Sequence, residues 1–130
     1  MRTSGIYFSY RGHDYQQSFS GDAWIGLDVA APDPSEFPDA IEFGMTDEQH
    51  WVKLPREVVE DRRKETVQAK WRDAVVIVDS QVSDTEVLLA YVGPPAKAKE
   101  LGMDGDQYMG WTVVAPIAEL EDVSTKLTGL

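Results

Sequence analysis

A repeat of about 60 residues constrains this chain more than any other feature, because each copy must then be a small module in its own right. Trp71-Arg72 repeats Tyr10-Arg11, and Pro116-Ile-Ala-Glu-Leu-Glu-Asp122 repeats Pro55-Arg-Glu-Val-Val-Glu-Asp61, both at a spacing of 61 residues. Between these anchors Glu100-Leu-Gly-Met103 echoes Glu42-Phe-Gly-Met45, and Trp111 echoes Trp51, with only small gaps needed. The boundary of the repeat places one unit at 1–62 and the other at 63–130.

Period-2 alternation is clearest where the copies match. Ile6, Phe8 and Tyr10 alternate with Tyr7, Ser9 and Arg11, and Val67, Ala69 and Trp71 alternate with Gln68, Lys70 and Arg72. Both stretches read as half-buried strands. Arg11-Gly-His-Asp14 predicts a turn into a strand at Tyr15 to Phe19, and Ala74 to Val78 predicts a strand buried on both faces. A third strand is expected at Trp24 to Val29 and at Val87 to Val92, each ended by prolines. Ala96 to Leu101 reads as one or two helical turns before Gly102. A fourth strand is expected at His50 to Leu54 and Gly110 to Ala115, running into Pro55 or Pro116 and a 3₁₀ turn. Residues 55–71 also have the composition of a helix, but their apolar residues make a poor stripe, so a turn followed by a strand is the favoured reading. This element order resembles an SH3-like barrel. The fold expected is all-β: two tandem SH3-like small barrels packed as one compact unit.

The formal charge of −11 is unevenly spread. Residues 12–52 hold nine acids and no Lys or Arg, residues 53–72 hold seven bases against four acids, and residues 73–130 hold ten acids against three bases. Such a field repels nucleic acid and anionic membranes and steers a basic partner inward. With no cysteine there are no disulfides, thiol nucleophiles or thiolate metal sites. No stretch approaches the roughly 20 apolar residues of a membrane span, and the start does not read as a signal peptide. A cytoplasmic protein is the expectation.

Few residues suggest chemistry. His13 beside Asp14 could form a general base with Arg11 near it, but sequence neighbours on a strand point apart and no nucleophile motif accompanies them. His50 has no close-spaced His partner for a metal. Asp104-Gly-Asp106 lacks the later ligands of a calcium loop, and no glycine pattern fits a nucleotide. No cofactor, metal or catalytic residue is therefore expected. Ile6-Tyr-Phe-Ser-Tyr-Arg-Gly-His-Asp14 resembles the opening strand of TIR domains over nine residues. The family would continue into a helix, whereas these residues continue as strands.

Trp51, Trp71 and Trp111 sit at matched points of the repeat and are expected in the core or a barrel seam. Trp24 has the aliphatic Val87 at its counterpart position and lies in the acidic stretch. The candidate partner-binding surface is Trp24, Asp28, Asp33, Glu36, Phe37, Asp39, Glu42, Asp47 and Glu48, aromatic anchors among carboxylates that can pair with Lys or Arg. In profile (small, acidic and without an export signal) the chain resembles the immunity proteins of bacterial polymorphic toxins. That resemblance implies a non-enzymatic protein that neutralises a basic toxin and assigns no residue. Alternatives are a nucleic-acid-mimic inhibitor, an SH3-like adaptor module, and a small enzyme using Arg11, His13 and Asp14.

Overall fold

Alternating apolar and polar residues along most of the chain produce twelve strands, one short helix and two 3₁₀ turns in a computed structural model describing residues 1–130. The strands are β1 (Gly5–Tyr10), β2 (His13–Gln16), β3 (Phe19–Ser20), β4 (Trp24–Val29), β5 (Glu42–Thr46), β6 (Gln49–Pro55) and β7 (Glu60–Trp71). They continue as β8 (Ala74–Gln81), β9 (Glu86–Tyr91), β10 (Asp104–Asp106), β11 (Gly110–Pro116) and β12 (Glu121–Gly129), with α1 (Pro95–Glu100) between β9 and β10. The 3₁₀ turns are Arg56–Val58 and Ile117–Glu119, each entered through a proline in extended conformation. Strand β7 follows the first of them directly, so 55–71 is a turn and a strand, not a helix. After β1 the chain enters β2, where a TIR domain would have a helix.

The chain divides into two compact units. A first unit comprises Ile6–Lys64 and Gly129–Leu130, and a second comprises Met1–Gly5 and Glu65–Thr128. Each has its own apolar centre. Phe8, Tyr10, Ile25, Leu27, Phe37, Val52 and Leu54 fill the first. Val67, Trp71, Val76, Val78, Val87, Leu89, Trp111 and Ala115 dominate the second, where Ala98 of α1 and Met103 join them.

The fold is predominantly β, in two sheets with no closed barrel. In the first unit β1 pairs with β2, while four strands lie in the order β3-β4-β6-β5. The chain changes partners at Gln17–Ser18: the Gln17 N–H donates to the Ile6 carbonyl and the Ser18 N–H to the Gly26 carbonyl. Strand β5 is left as an edge, so this sheet stays open. In the second unit the order is β10-β11-β9-β8-β7, with β12 also on β7. Strand β10 escapes sequence reading because its three residues, Asp104–Asp106, carry no apolar side chain, and β5 because the alternation of Phe43 and Met45 spans only five residues.

Local geometry recurs between the halves. Arg11 and Arg72 take φ of 51° and 47°, and Asp61 and Asp122 take 49° and 50°. The two-residue loops Arg11-Gly12, Asp47-Glu48 and Arg72-Asp73 have positive φ at both central positions, as the tightest hairpins require. Asp73, at φ 65°, holds this conformation at a cost that glycine would not incur. Asp73→Gly should therefore raise stability by about 0.5–1 kcal/mol, read as a higher denaturant midpoint at unchanged slope.

Two sequence expectations are corrected by register. Strand β8 is buried on one face only, since Val75 is 60% exposed between buried Ala74 and Val76. Trp51 and Trp111 are not equivalent. Trp51 pairs with Asp28 on β4, whereas Thr112 pairs with the corresponding residue, Ala90, on β9. Counting back from Pro55 and Pro116, His50 occupies the place of Trp111. A one-residue offset sends a side chain to the other face, so Trp111 is buried in the core while Trp51 lies on the outer face of its sheet.

Candidate functional site

Along β6, Val52 and Leu54 point into the core of the first unit, which sends Trp51 and Lys53 outward. Their ladder partners on β4 are Asp28 and Gly26, and on β5 they are Gly44 and Glu42. The outer face of this sheet thus gathers Phe19, Trp24, Asp28, Thr46, Gln49, Trp51 and Lys53 around a groove of about 490 Å3. Its walls are aromatic. Phe19 meets Trp24 and Trp51 edge-on, with ring centroids 5.5 and 5.9 Å away.

Two glycines make this arrangement possible. A Cβ at Gly26 would overlap the Phe19 ring, and one at Gly44 would overlap Trp51, so both rings lie directly on bare backbone. The Trp51 indole N–H donates to Thr46 Oγ1 at 3.0 Å, which fixes its orientation. The Lys53 ammonium sits 4.4 Å from the centroid of Trp24 and 5.2 Å from that of Trp51, within cation–π range of both. Its carboxylate neighbour is Glu42, at 3.8 Å.

The sequence-derived surface residues separate into several environments. Trp24 and Asp28 line this groove, and Glu42 pairs with Lys53 at its side. Asp47 and Glu48 form the exposed β5–β6 hairpin loop. Asp33 and Glu36 lie on the exposed connection after β4, where the Ser35 hydroxyl and backbone N–H both donate to Asp33 and hold its carboxyl below its ordinary pKa. Asp39 accepts the Tyr10 hydroxyl at 2.8 Å. Phe37 departs from expectation. It is only 3% exposed and stacks parallel on Tyr10, so it belongs to the core and is not a surface anchor. Exposed apolar side chains occur instead at Ile41, Phe43 and Met45 on and beside the edge strand β5, exposed by 58%, 39% and 61%. Phe43 and Met45, paired with Val52 and His50, lie on the sheet face opposite the groove. Trp51, Lys53 and Phe19 were missed because their convergence depends on the β4–β6 register, although the Trp51–Lys53 spacing of two already placed both on one face.

A second, more polar cleft of about 360 Å3 is lined by Arg11, His13, Tyr15, Ser35 and Glu36. His13 and Tyr15 project to one side of β2 and Asp14 to the other. Asp14 accepts from Ser9 Oγ and pairs with Arg63, each at 2.9 Å, so His13 and Asp14 do not assemble as a dyad. Burial, and then the nearby Glu36 carboxylate, raise the pKa of Tyr15. Burial also raises that of Tyr10, with its hydrogen bond to Asp39 adding to the effect.

Both tyrosines therefore hold their protons more tightly folded than unfolded. Stability should be at full strength below pH 10.0, the ordinary tyrosine value, and should fall as pH rises through the raised folded values. Tyr10→Phe should cost about 0.5–1.5 kcal/mol at neutral pH by losing the bond to Asp39, and should flatten the alkaline decline. Denaturant midpoints measured from neutral to strongly alkaline pH check both effects.

No protein family, curated protein or solved structure matches the chain. No helix is long and apolar enough to cross a membrane.

Proposed function

We infer that the chain is a non-catalytic binding protein whose first unit docks a basic protein partner in the cytoplasm, in the manner of an immunity protein that neutralises a toxin. The observation that carries this reading is the edge strand β5. Ile41, Phe43 and Met45 expose apolar surface there, between the carboxylates of the 33–39 connection and the Asp47-Glu48 loop. Glu36, Asp47 and Glu48 make no ion pair within the chain. Exposed apolar residues flanked along the chain by carboxylates without ion pairs supply anchoring and steering together. An edge strand also offers unpaired backbone groups to an extended partner segment. The profile and the recurring local geometry support a duplicated SH3-like ancestry, with the first copy specialised for binding.

The test uses captured partner. Asp33→Asn, Glu36→Gln, Asp47→Asn and Glu48→Gln are combined, leaving Asp39 and Glu42 in place because they bond Tyr10 and Lys53. Wild-type protein should retain one basic protein from the native host at low salt, and the combined variant should lose it. Equal retention by both proteins would remove the acidic edge as the interface.

A further inference from the structure

We propose that the groove between Trp24 and Trp51 receives the guanidinium of an arginine from the partner, and that Lys53 is an internal occupant displaced when the arginine enters. This deepens the basic-partner reading and rests on it. Three observations carry it beyond an exposed aromatic patch. The groove already holds a cation, since the Lys53 ammonium lies within reach of both indoles. The walls are in place beforehand, because Trp51 is tied to Thr46 and Phe19 and Trp51 lie on glycine floors. Little ordering is then required on binding. Finally, Asp28 is exposed, lines the same groove and forms no ion pair.

An ammonium is a compact point charge, and with Lys53 in place about 490 Å3 of the groove stays open. A guanidinium differs in the two respects this site uses. Its flat face stacks on indole, and its edge donates paired N–H groups to a carboxylate such as Asp28. The released Lys53 has a destination in Glu42, already 3.8 Å from its nitrogen, so its charge stays balanced in the complex. Before arginine enters, Lys53 repels other cations and covers the indoles, which gives the slot a threshold against weak cationic ligands.

The test needs no partner. Isotope-labelled full-length protein is titrated with N-acetyl-arginine amide and, separately, with its neutral isostere N-acetyl-citrulline amide, while the four indole N–H signals are followed. Arginine should move the Trp24 and Trp51 signals and leave Trp71 and Trp111 in place. Lys53→Gln should tighten the arginine probe about fivefold by removing a competing cation, and adding Asp28→Asn should weaken it again by a similar factor. Lys53→Met keeps the aliphatic stem and should reproduce the tightening if the glutamine disturbs the sheet. Equal responses to citrulline and arginine, or no tightening in either Lys53 variant, would overturn the proposal. If the slot fails while partner capture still depends on the carboxylates, only the slot is lost. If the slot binds arginine while capture ignores the carboxylates, the edge-strand reading is lost instead.

Discussion

Arg2→Ala should destabilise the second unit by roughly 2–4 kcal/mol. The guanidinium grips Glu65 with two bonds of 2.6 and 2.7 Å, and Glu65 is only 3% exposed. Removing Arg2 takes two charge-assisted bonds from a buried carboxylate, and breaking one side of such a pair costs more than the intact pair contributes. The arginine side chain is 44% exposed, which keeps the expected loss below that of a fully buried pair. Neighbouring contacts tie down the same segment. Ser4 Oγ accepts from the Val67 N–H at 2.8 Å, the Ser4 N–H donates to the Val78 carbonyl at 2.8 Å, and Thr3 is buried. Replacing both partners by apolar residues, Arg2→Met with Glu65→Leu, should recover much of the loss. Chemical denaturation followed by tryptophan fluorescence, to which Trp71 and Trp111 of the second unit contribute, reads both changes. A midpoint unaltered by Arg2→Ala would mean that water reaches Glu65 and replaces the guanidinium.

That contact also shows what a linear reading of the repeat cannot supply. The repeat placed a division after residue 62, and the compact units divide at Lys64/Glu65 but exchange their ends: Met1–Gly5 belongs with the second half and Gly129–Leu130 with the first. Long-range pairing such as Arg2 with Glu65 leaves no local signature. The strands of high alternation, the helix before Gly102 and the two proline-led 3₁₀ turns were legible because each has a short-range cause. Barrel closure was not, because it depends on which strands find partners, and β5 remains an open edge.

The site was legible in its charge and less so in its anchors. Asp28, Asp33, Glu36, Asp47 and Glu48 are exposed as their composition implied. Phe37 failed as an anchor because Tyr10 and Tyr15 offer it ring contacts in the core, and no periodicity marks residues 30–41 to warn of that. The Trp51 and Trp111 echo misled by one residue, which is enough to exchange core for surface. Lys53 could not be placed without knowing that Trp24 and Trp51 converge on it from neighbouring strands.

The second large effect concerns association. If the acidic edge steers a basic partner, neutralising Asp33, Glu36, Asp47 and Glu48 removes four unit charges from the approach surface. The combined variant should associate at least about tenfold more slowly at low salt. Its dissociation rate should change less, because exposed rim charges act mainly on encounter. The steering also sets salt dependence, since exposed charges are screened over about 10 Å at moderate ionic strength.

The most direct measurement is therefore the association rate of the captured partner with wild-type and charge-neutralised protein across a series of salt concentrations. A fast wild-type rate that falls steeply with salt is expected, with a slower variant rate and a distinctly shallower salt dependence. Coincident curves for the two proteins would contradict it.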